Sequence, residues 1–154
     1  MRILLLAIIF LLHGCASVQD MTHANCLPRG VPGDVSLRRE AYLYKLQGES
    51  DISLWGSPYR YGSGVDASGK MQMHSPPPLA VLPVGTRLTI QKITRETHFD
   101  NPRDVIHAHG VAHTIQGNLK FVYSWGIENK INYAPWETDV YDPRDFSRTI
   151  GCGA

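Results

Sequence analysis

The clearest alternation of apolar and polar positions lies between Asp104 and Gly126. Both halves of this segment change character with a period of two residues, which predicts two half-buried β-strands. One face of the second strand carries large apolar side chains, namely Leu119, Phe121, Tyr123 and Trp125. The pair Gly117-Asn118 between the halves predicts a hairpin turn, because both residue types accept positive φ. We therefore predict a β-hairpin with a strongly apolar inner face.

The first strand of this hairpin carries three histidines on one face: His107, His109 and His113. The position of the turn decides which way they point. A two-residue turn at Gly117-Asn118 puts Thr114 opposite Phe121 and turns the histidines away from the core. A three-residue turn that starts at Gln116 turns them inward, because a slip of one residue exchanges the two faces of a strand.

We favour the two-residue turn. It places small residues opposite the aromatic side chains, and it leaves no uncharged imidazole in the core in need of a partner. His107 and His109 are then predicted to be at least partly accessible.

These two side chains lie about 6.5–7 Å apart along the strand and project to the same side, so they could share a zinc or copper ion, with His113 further along. No carboxylate or thiolate is clearly placed as a further ligand. The alternative, that all three histidines are half-exposed residues of an outer sheet face, is therefore favoured.

Two other segments also predict strands. Residues 39–47 alternate tyrosines with aliphatic residues, which favours a strand over a short amphipathic helix. Residues 79–93 contain a turn at Pro83-Val84-Gly85, after which Leu88 and Ile90 alternate with polar residues. The polar residues 94–104 predict a connection. No segment repeats apolar residues at helical spacing, so the predicted fold is all-β or strongly β-rich, a small antiparallel barrel or sandwich.

Residues 47–78 are dense in Gly, Ser and Pro, and they contain an aromatic and basic cluster: Trp55, Tyr59, Arg60 and Tyr61. Aromatic faces beside an arginine can stack on sugar rings or dock a partner protein, so these four are the candidate binding residues. The alternative, which we favour for Trp55 and Tyr59, is that both fold back as lids over the core.

The amino terminus predicts export. Arg2 precedes ten uninterrupted apolar residues, Ile3 to Leu12. A spanning helix needs about 20, so this segment is predicted to be a signal peptide, residues 1–14.

The following residues, Leu12-His13-Gly14-Cys15, resemble the lipobox of bacterial lipoproteins. The resemblance implies cleavage before Cys15 and fatty acylation of that cysteine, which would tether the chain durably to a membrane. Ala16 follows the cysteine, and in lipoproteins that pattern resembles export to the outer membrane. The implied location is the outer membrane with the domain facing the periplasm, and the cell surface is left open.

The composition of the chain agrees with this predicted location. The chain has 15 Lys and Arg against 14 Asp and Glu, and the loss of Arg2 with the signal peptide leaves the mature chain formally neutral. No basic stripe is present, so nucleic acid is not an expected partner.

Residues 15–34, rich in Pro and Gly, predict a tether without secondary structure. Residues 35–154 then predict a single β-rich periplasmic domain.

Two cysteines remain once Cys15 is acylated. In an oxidising envelope Cys26 and Cys152 most simply form a disulfide that joins the entry and the exit of the domain. Cys152 is a poor candidate for a nucleophile, because the four residues Gly151 to Ala154 leave no room for a helix that would lower its pKa.

The passage from REAYLYKLQ to LPVGTRLTI resembles the opening of bacterial SH3-like barrels. That resemblance implies a module that binds cell-wall peptides or proteins. The resemblance does not identify any residue of this chain as a ligand contact.

The chain lacks HExxH, CxxC, GxSxG, Walker and dinucleotide motifs, so no enzymatic activity and no cofactor are expected. The favoured function is a non-catalytic envelope lipoprotein that binds peptidoglycan or a periplasmic protein. One alternative is an inhibitor or immunity protein against a wall-degrading enzyme. The other is a metal-binding protein that uses the histidines.

Overall fold

The computed structural model describes residues 17–65, 68–69, 71–98, 101–139 and 148–151. Within these ranges the protein is all-β, and no helix is present. The predicted fold class is confirmed.

Twelve strands are described, and we number them in chain order. They are β1 (Ser17–Asp20), β2 (Gly33–Ser36), β3 (Ala41–Tyr44), β4 (Ser53–Trp55), β5 (Tyr61–Val65), β6 (Met71–His74), β7 (Ala80–Leu82), β8 (Arg87–His98), β9 (Asn101–Thr114), β10 (Gly117–Ile127), β11 (Lys130–Ile131) and β12 (Arg148–Thr149).

Ten of these strands form one mixed sheet in the order β1-β8-β9-β10-β4-β3-β7. Strand β2 also pairs with β8, and the short β11 links β10 to β12. All pairs in this sheet are antiparallel except β4 with β10. Strands β5 and β6 form a separate hairpin. In the described ranges the outer strands β1 and β7 do not pair with each other, so the sheet is open. The arrangement is consistent with a β-rich sandwich. A closed barrel, which was the other predicted architecture and included the SH3-like barrel, is not seen in the described residues.

The inner face of the sheet is built on the long strands β8, β9 and β10. Large side chains of β10 lie opposite small residues of β9, with Phe121 across from Gly110 and Tyr123 across from Ala108. Leu88, Ile90 and Ile93 of β8 are buried beside them. Trp136 closes this core with its ring edge-on to Tyr123 and Trp125, at centroid distances of 5.1 and 5.8 Å. Edge-on aromatic pairs of this kind add stability beyond the area they bury.

The hairpin between β9 and β10 forms, but its turn lies at Ile115-Gln116 and not at Gly117-Asn118. Gly117, with φ of 116°, supplies the positive φ that commonly follows a type I turn. Thr114 Oγ1 donates to the carbonyl of Gly117 at 2.8 Å and closes the turn.

The predicted cross-strand pairs are therefore wrong, because Thr114 pairs with Gly117 and not with Phe121. The predicted faces are nevertheless right. Because the turn lies two residues earlier than predicted, each residue of β9 pairs with a β10 residue four positions earlier than predicted. A shift by an even number of residues keeps every side chain on the same face of its strand.

The segment predicted as a tether is part of the domain. Strands β1 and β2 both pair with β8, and Met21 and Val31 are buried in the core. The prediction that no element forms across residues 16–34 is wrong. The prolines and glycines of this segment form turns between the two short strands, which pair with the otherwise free edge of β8. The sequence did not indicate these strands, because pairing with a strand far away in the chain leaves no local pattern.

Residues 47–78 contain three strands, β4, β5 and β6, where the sequence indicates at most one short strand, at Met71–His74. Strand β8 runs on to His98 and β9 starts at Asn101, so the predicted connection at 94–104 is mostly strand.

Substitution of Gly110 tests the close fit between β9 and β10. A Cβ at this position would lie 2.7 Å from the Thr89 carbonyl oxygen and 2.8 Å from the Phe121 ring. We expect Gly110→Ala to lower the free energy of unfolding by about 1–3 kcal/mol, the usual cost of overpacking. Urea denaturation measures it. Gly151→Ala is the matched control, because a Cβ there meets nothing within 4 Å. Equal stability of both variants would contradict the packing described.

Candidate functional site

A cleft of about 990 Å³ opens on the outer face of the sheet, which is the face opposite the aromatic core. Its floor consists of side chains from β8, β9 and β10: Glu96, His107, His109, Val122 and Ser124. One wall comes from residues between 48 and 57, which include Trp55. The other comes from residues between 132 and 138 together with Arg148.

Strand register explains why these floor residues meet. Thr94 on β8 lies opposite His107 on β9, which lies opposite Ser124 on β10. Lys92, His109 and Val122 form the next such row. Residues directly opposite one another in a sheet share a face, so the side chains of both rows lie on the cleft side of the sheet, and four of them, His107, His109, Val122 and Ser124, line the cleft.

The side chains of the floor form a hydrogen-bonded network. Thr94 Oγ1, in a residue only 2% exposed, lies 2.8 Å from His109 Nε2 and 3.1 Å from Glu96 Oε1. A hydroxyl has a single hydrogen. If Thr94 donates it to Glu96, His109 must carry hydrogen on Nε2 and donate to Thr94.

His107 connects this network to β10. Its Nε2 lies 3.9 Å from Glu96 Oε2, and its Nδ1 lies 3.5 Å from Ser124 Oγ. Glu96 therefore faces both histidines, directly in the case of His107 and through Thr94 in the case of His109.

His109 has a pKa below its ordinary value, chiefly because burial disfavours the charged imidazolium. The Glu96 carboxylate opposes this shift, Lys92 adds to it and Asp51 opposes it. The imidazole is therefore neutral at neutral pH and can act as a hydrogen-bond donor and acceptor on the floor of the cleft.

The two walls differ in charge. On one wall, Glu49 accepts from the Ser53 hydroxyl at 2.6 Å and Asp51 accepts from the Ser50 hydroxyl at 3.1 Å. On the other wall the cations are engaged within the protein. Arg148 pairs with Glu137 and lies 5.0 Å over the Tyr133 ring, while Arg39 donates to the Tyr133 carbonyl at 3.0 Å.

The structure divides the four predicted binding residues. Trp55 lines the cleft. Tyr59 packs against Trp55 at a centroid distance of 4.6 Å and against the buried Tyr44 at 5.9 Å. Tyr61 is 46% exposed, and Arg60 is exposed as well, but neither lines the cleft. Trp55 and Tyr59 fold back onto an aromatic stack that is separate from the hydrophobic core, so the expectation that both cover the core is not met, and Trp55 keeps one side toward the cleft.

The three histidines are not brought together. His107 and His109 are half-buried, with ring centroids 6.3 Å apart, so the prediction that both are partly accessible is confirmed. His113 lies about 13 Å further along the strand. It contacts Thr89 Oγ1 at 2.9 Å and Asn118 Oδ1 at 3.0 Å. In the described part of the chain no group of three or more His, Cys, Asp or Glu side chains could hold a metal ion.

Cys26 is disulfide-bonded. Cys15 and Cys152, the other two cysteines of the chain, lie outside the described residues, so the pairing with Cys152 and the acylation of Cys15 stay predictions. Gly151, the residue before Cys152, lines a small pocket together with Cys26. A search of the described residues finds no helix long and apolar enough to cross a membrane.

Sequence analysis missed the acidic and hydroxyl residues of the cleft. Thr94 and Glu96 fall in the segment predicted to be a connection, and Glu49 and Asp51 fall in the irregular loop. Residues 94–98 are all polar, so the apolar alternation of β8 ends at Ile93 and gave no signal for the first two. No local signal indicates that residues 49–51 approach β9.

Comparison of the chain with protein-family models, with curated proteins and with solved structures finds no match.

The lowered pKa of His109 predicts a pH dependence of stability. The unfolded chain binds a proton near pH 6.5, where the folded chain does not yet do so. The free energy of unfolding should therefore fall as the pH drops below about 6.5 towards the folded pKa. Above that range the contribution is fully present. Chemical denaturation at a series of pH values between about 7.5 and 5 measures this slope.

His109→Gln should reduce the slope, because it removes the group whose pKa differs between the two states. His113→Gln, in an exposed position outside the cleft, should keep it. An unchanged slope in His109→Gln would show that other groups cause the pH dependence.

Proposed function

We propose that this protein is a non-catalytic, lipid-anchored lipoprotein of the bacterial envelope that binds a cell-wall component in the cleft of its β domain. The observation that carries the proposal is the cleft itself. Its volume of about 990 Å³ lies at the upper end of the range of small-molecule sites, which are concave and present a few convergent polar groups.

The chemistry of the cleft favours a glycan fragment of peptidoglycan over a protein surface. Trp55 offers an aromatic face on which a sugar ring can stack. His109, Glu96 and Ser124 on the floor, with Glu49 and Asp51 on the wall, offer donors and acceptors for sugar hydroxyl and amide groups. A protein partner would instead require a broad surface of about 800 Å² on each side.

The proposed address is supported by two observations. The segment Leu12 to Cys15 resembles a lipobox, and Cys26 is disulfide-bonded, which is typical of an oxidising compartment. We place the acylated Cys15 in the outer membrane with the domain facing the periplasm. The metal-binding alternative has less support, because His113 lies far from the other two histidines.

Substitution of Trp55 tests the cleft as the binding site. We expect Trp55→Ala to weaken binding of the purified full-length protein to isolated peptidoglycan sacculi by about fivefold or more, which is the effect of losing roughly 1 kcal/mol at a binding hot spot. Co-sedimentation with sacculi measures the affinity. Tyr59→Ala should cause a smaller loss, because Tyr59 supports Trp55 from behind.

Ile115→Ala is the control for this experiment. Ile115 is fully exposed in the β9–β10 turn and does not line the cleft, so its removal should leave binding unchanged. Undiminished binding of Trp55→Ala would count against the cleft, and recovery of an envelope protein in place of sacculi would favour a protein ligand.

A further inference from the structure

The folded domain begins almost immediately after the proposed acylation site. Strand β1 starts at Ser17, so Ala16 alone separates it from Cys15. Two peptide units span at most about 7.6 Å between Cα atoms. All four residues of β1 pair with β8, from Ser17 opposite Thr97 to Asp20 opposite Thr94. The acyl chains therefore have no long flexible spacer before the sheet.

The direction of β1 shows which end of the sheet lies nearest to Cys15. Strand β1 enters at the level of Thr97, which is the end where β8 finishes and β9 begins. At this end one row crosses four strands, formed by Val18, Glu96, Val105 and Ile127. We call this row the end row.

The end row exposes apolar side chains. Val18 is 61% exposed and Ile127 is 48% exposed. Val105 between them is half-buried. Val18 lies three residues after the predicted acylation site, and Ile127 lies three strands away in the same row, at a distance of about 14 Å.

The charge around this row is balanced. Glu96 belongs to the row and Asp104 and Glu128 lie near it, and these three carboxylates are matched by three cations, Arg95, Arg103 and Lys130. Since neither sign dominates, this end fits a zwitterionic lipid surface and does not depend on anionic lipids.

We infer that the two exposed ends of the end row, Val18 and Ile127, rest on the bilayer surface and that the cleft, into which Glu96 of the same row points, opens directly beside the membrane. The inference rests on the proposed acylation of Cys15. The row formed by Thr94, His107 and Ser124, of which His107 and Ser124 line the cleft, lies about two residues along the strands from the end row, a distance of about 7 Å. A ligand in the cleft is then held within roughly 20 Å of the lipid headgroups, given the dimensions of the strands and of the connecting peptide.

Because the connection to Cys15 is short, the end row does not need a strong affinity for lipid of its own. The acyl chains supply the membrane binding, and the end row contacts the surface as an intramolecular second step at high effective concentration. The arrangement restricts the ligand to wall material or other molecules that come close to the membrane.

Tryptophan quenching in vesicles tests the orientation. The acylated full-length protein would be reconstituted into phosphatidylcholine vesicles that carry a nitroxide on the lipid headgroup. We expect the added fluorescence of Ile127→Trp to be quenched. Ile115→Trp should not be quenched, because Ile115 lies ten residues, or about 33 Å, along β9 from Val105, the partner of Ile127. The parent protein supplies the background of its own three tryptophans.

Each outcome decides the question. Equal quenching at both positions, or stronger quenching at Ile115→Trp, overturns the orientation while leaving acylation intact. A chain that does not float with the vesicles lacks the anchor, so that both the proposed location and this inference fail. If Ile127→Trp does not fold, Val18→Trp probes the same row.

A linker variant provides the matched control. Insertion of a flexible Gly/Ser segment between Ala16 and Ser17 should leave flotation unchanged and reduce the quenching of Ile127→Trp, because the domain can then move away from the surface. Undiminished quenching in this variant would contradict the claim that the short connection imposes the orientation.

Discussion

The fit of the aromatic side chains of β10 against the small residues of β9 is the constraint on which the rest of the structure depends. Gly110 lies opposite Phe121, and no room is left for a side chain at this position. Because large and small residues alternate with the pleat, only one assignment of faces lets both strands pack. The same assignment places His107 and His109 on the outer face.

The set of residues on the outer face of the sheet follows from this assignment of the two faces. Strands β8, β9 and β10 each contribute polar residues at matching levels, so that Thr94, His107 and Ser124 lie side by side. Half-burial under the two walls strengthens the hydrogen bonds among them and keeps His109 neutral. A polar floor under an aromatic wall is suited to a ligand that has both hydroxyl groups and an apolar ring face.

The amino-terminal segment links this site to the proposed location of the protein. Strand β1 completes the edge of β8, and the same pairing fixes where the chain leaves the sheet towards Cys15. Strand β2 pairs with the other part of that edge, which brings Val31 into the core. Ser17, two residues after the proposed acylation site, is therefore connected to the cleft floor through one continuous sheet.

Sequence alone determined the all-β class, the strands with clear two-residue alternation, the accessibility of His107 and His109, and the aromatic inner face. These features follow from local periodicity, which each strand carries by itself. Tertiary structure decided the turn at Ile115-Gln116, the inclusion of β1 and β2 in the sheet, and the meeting of Glu96 and Trp55 around one cleft. The turn depends on which register of β9 and β10 packs best against the core. The other two depend on pairing between strands far apart in the chain, and such pairing is selected by the packing of the whole sheet and not by the residues of any one segment.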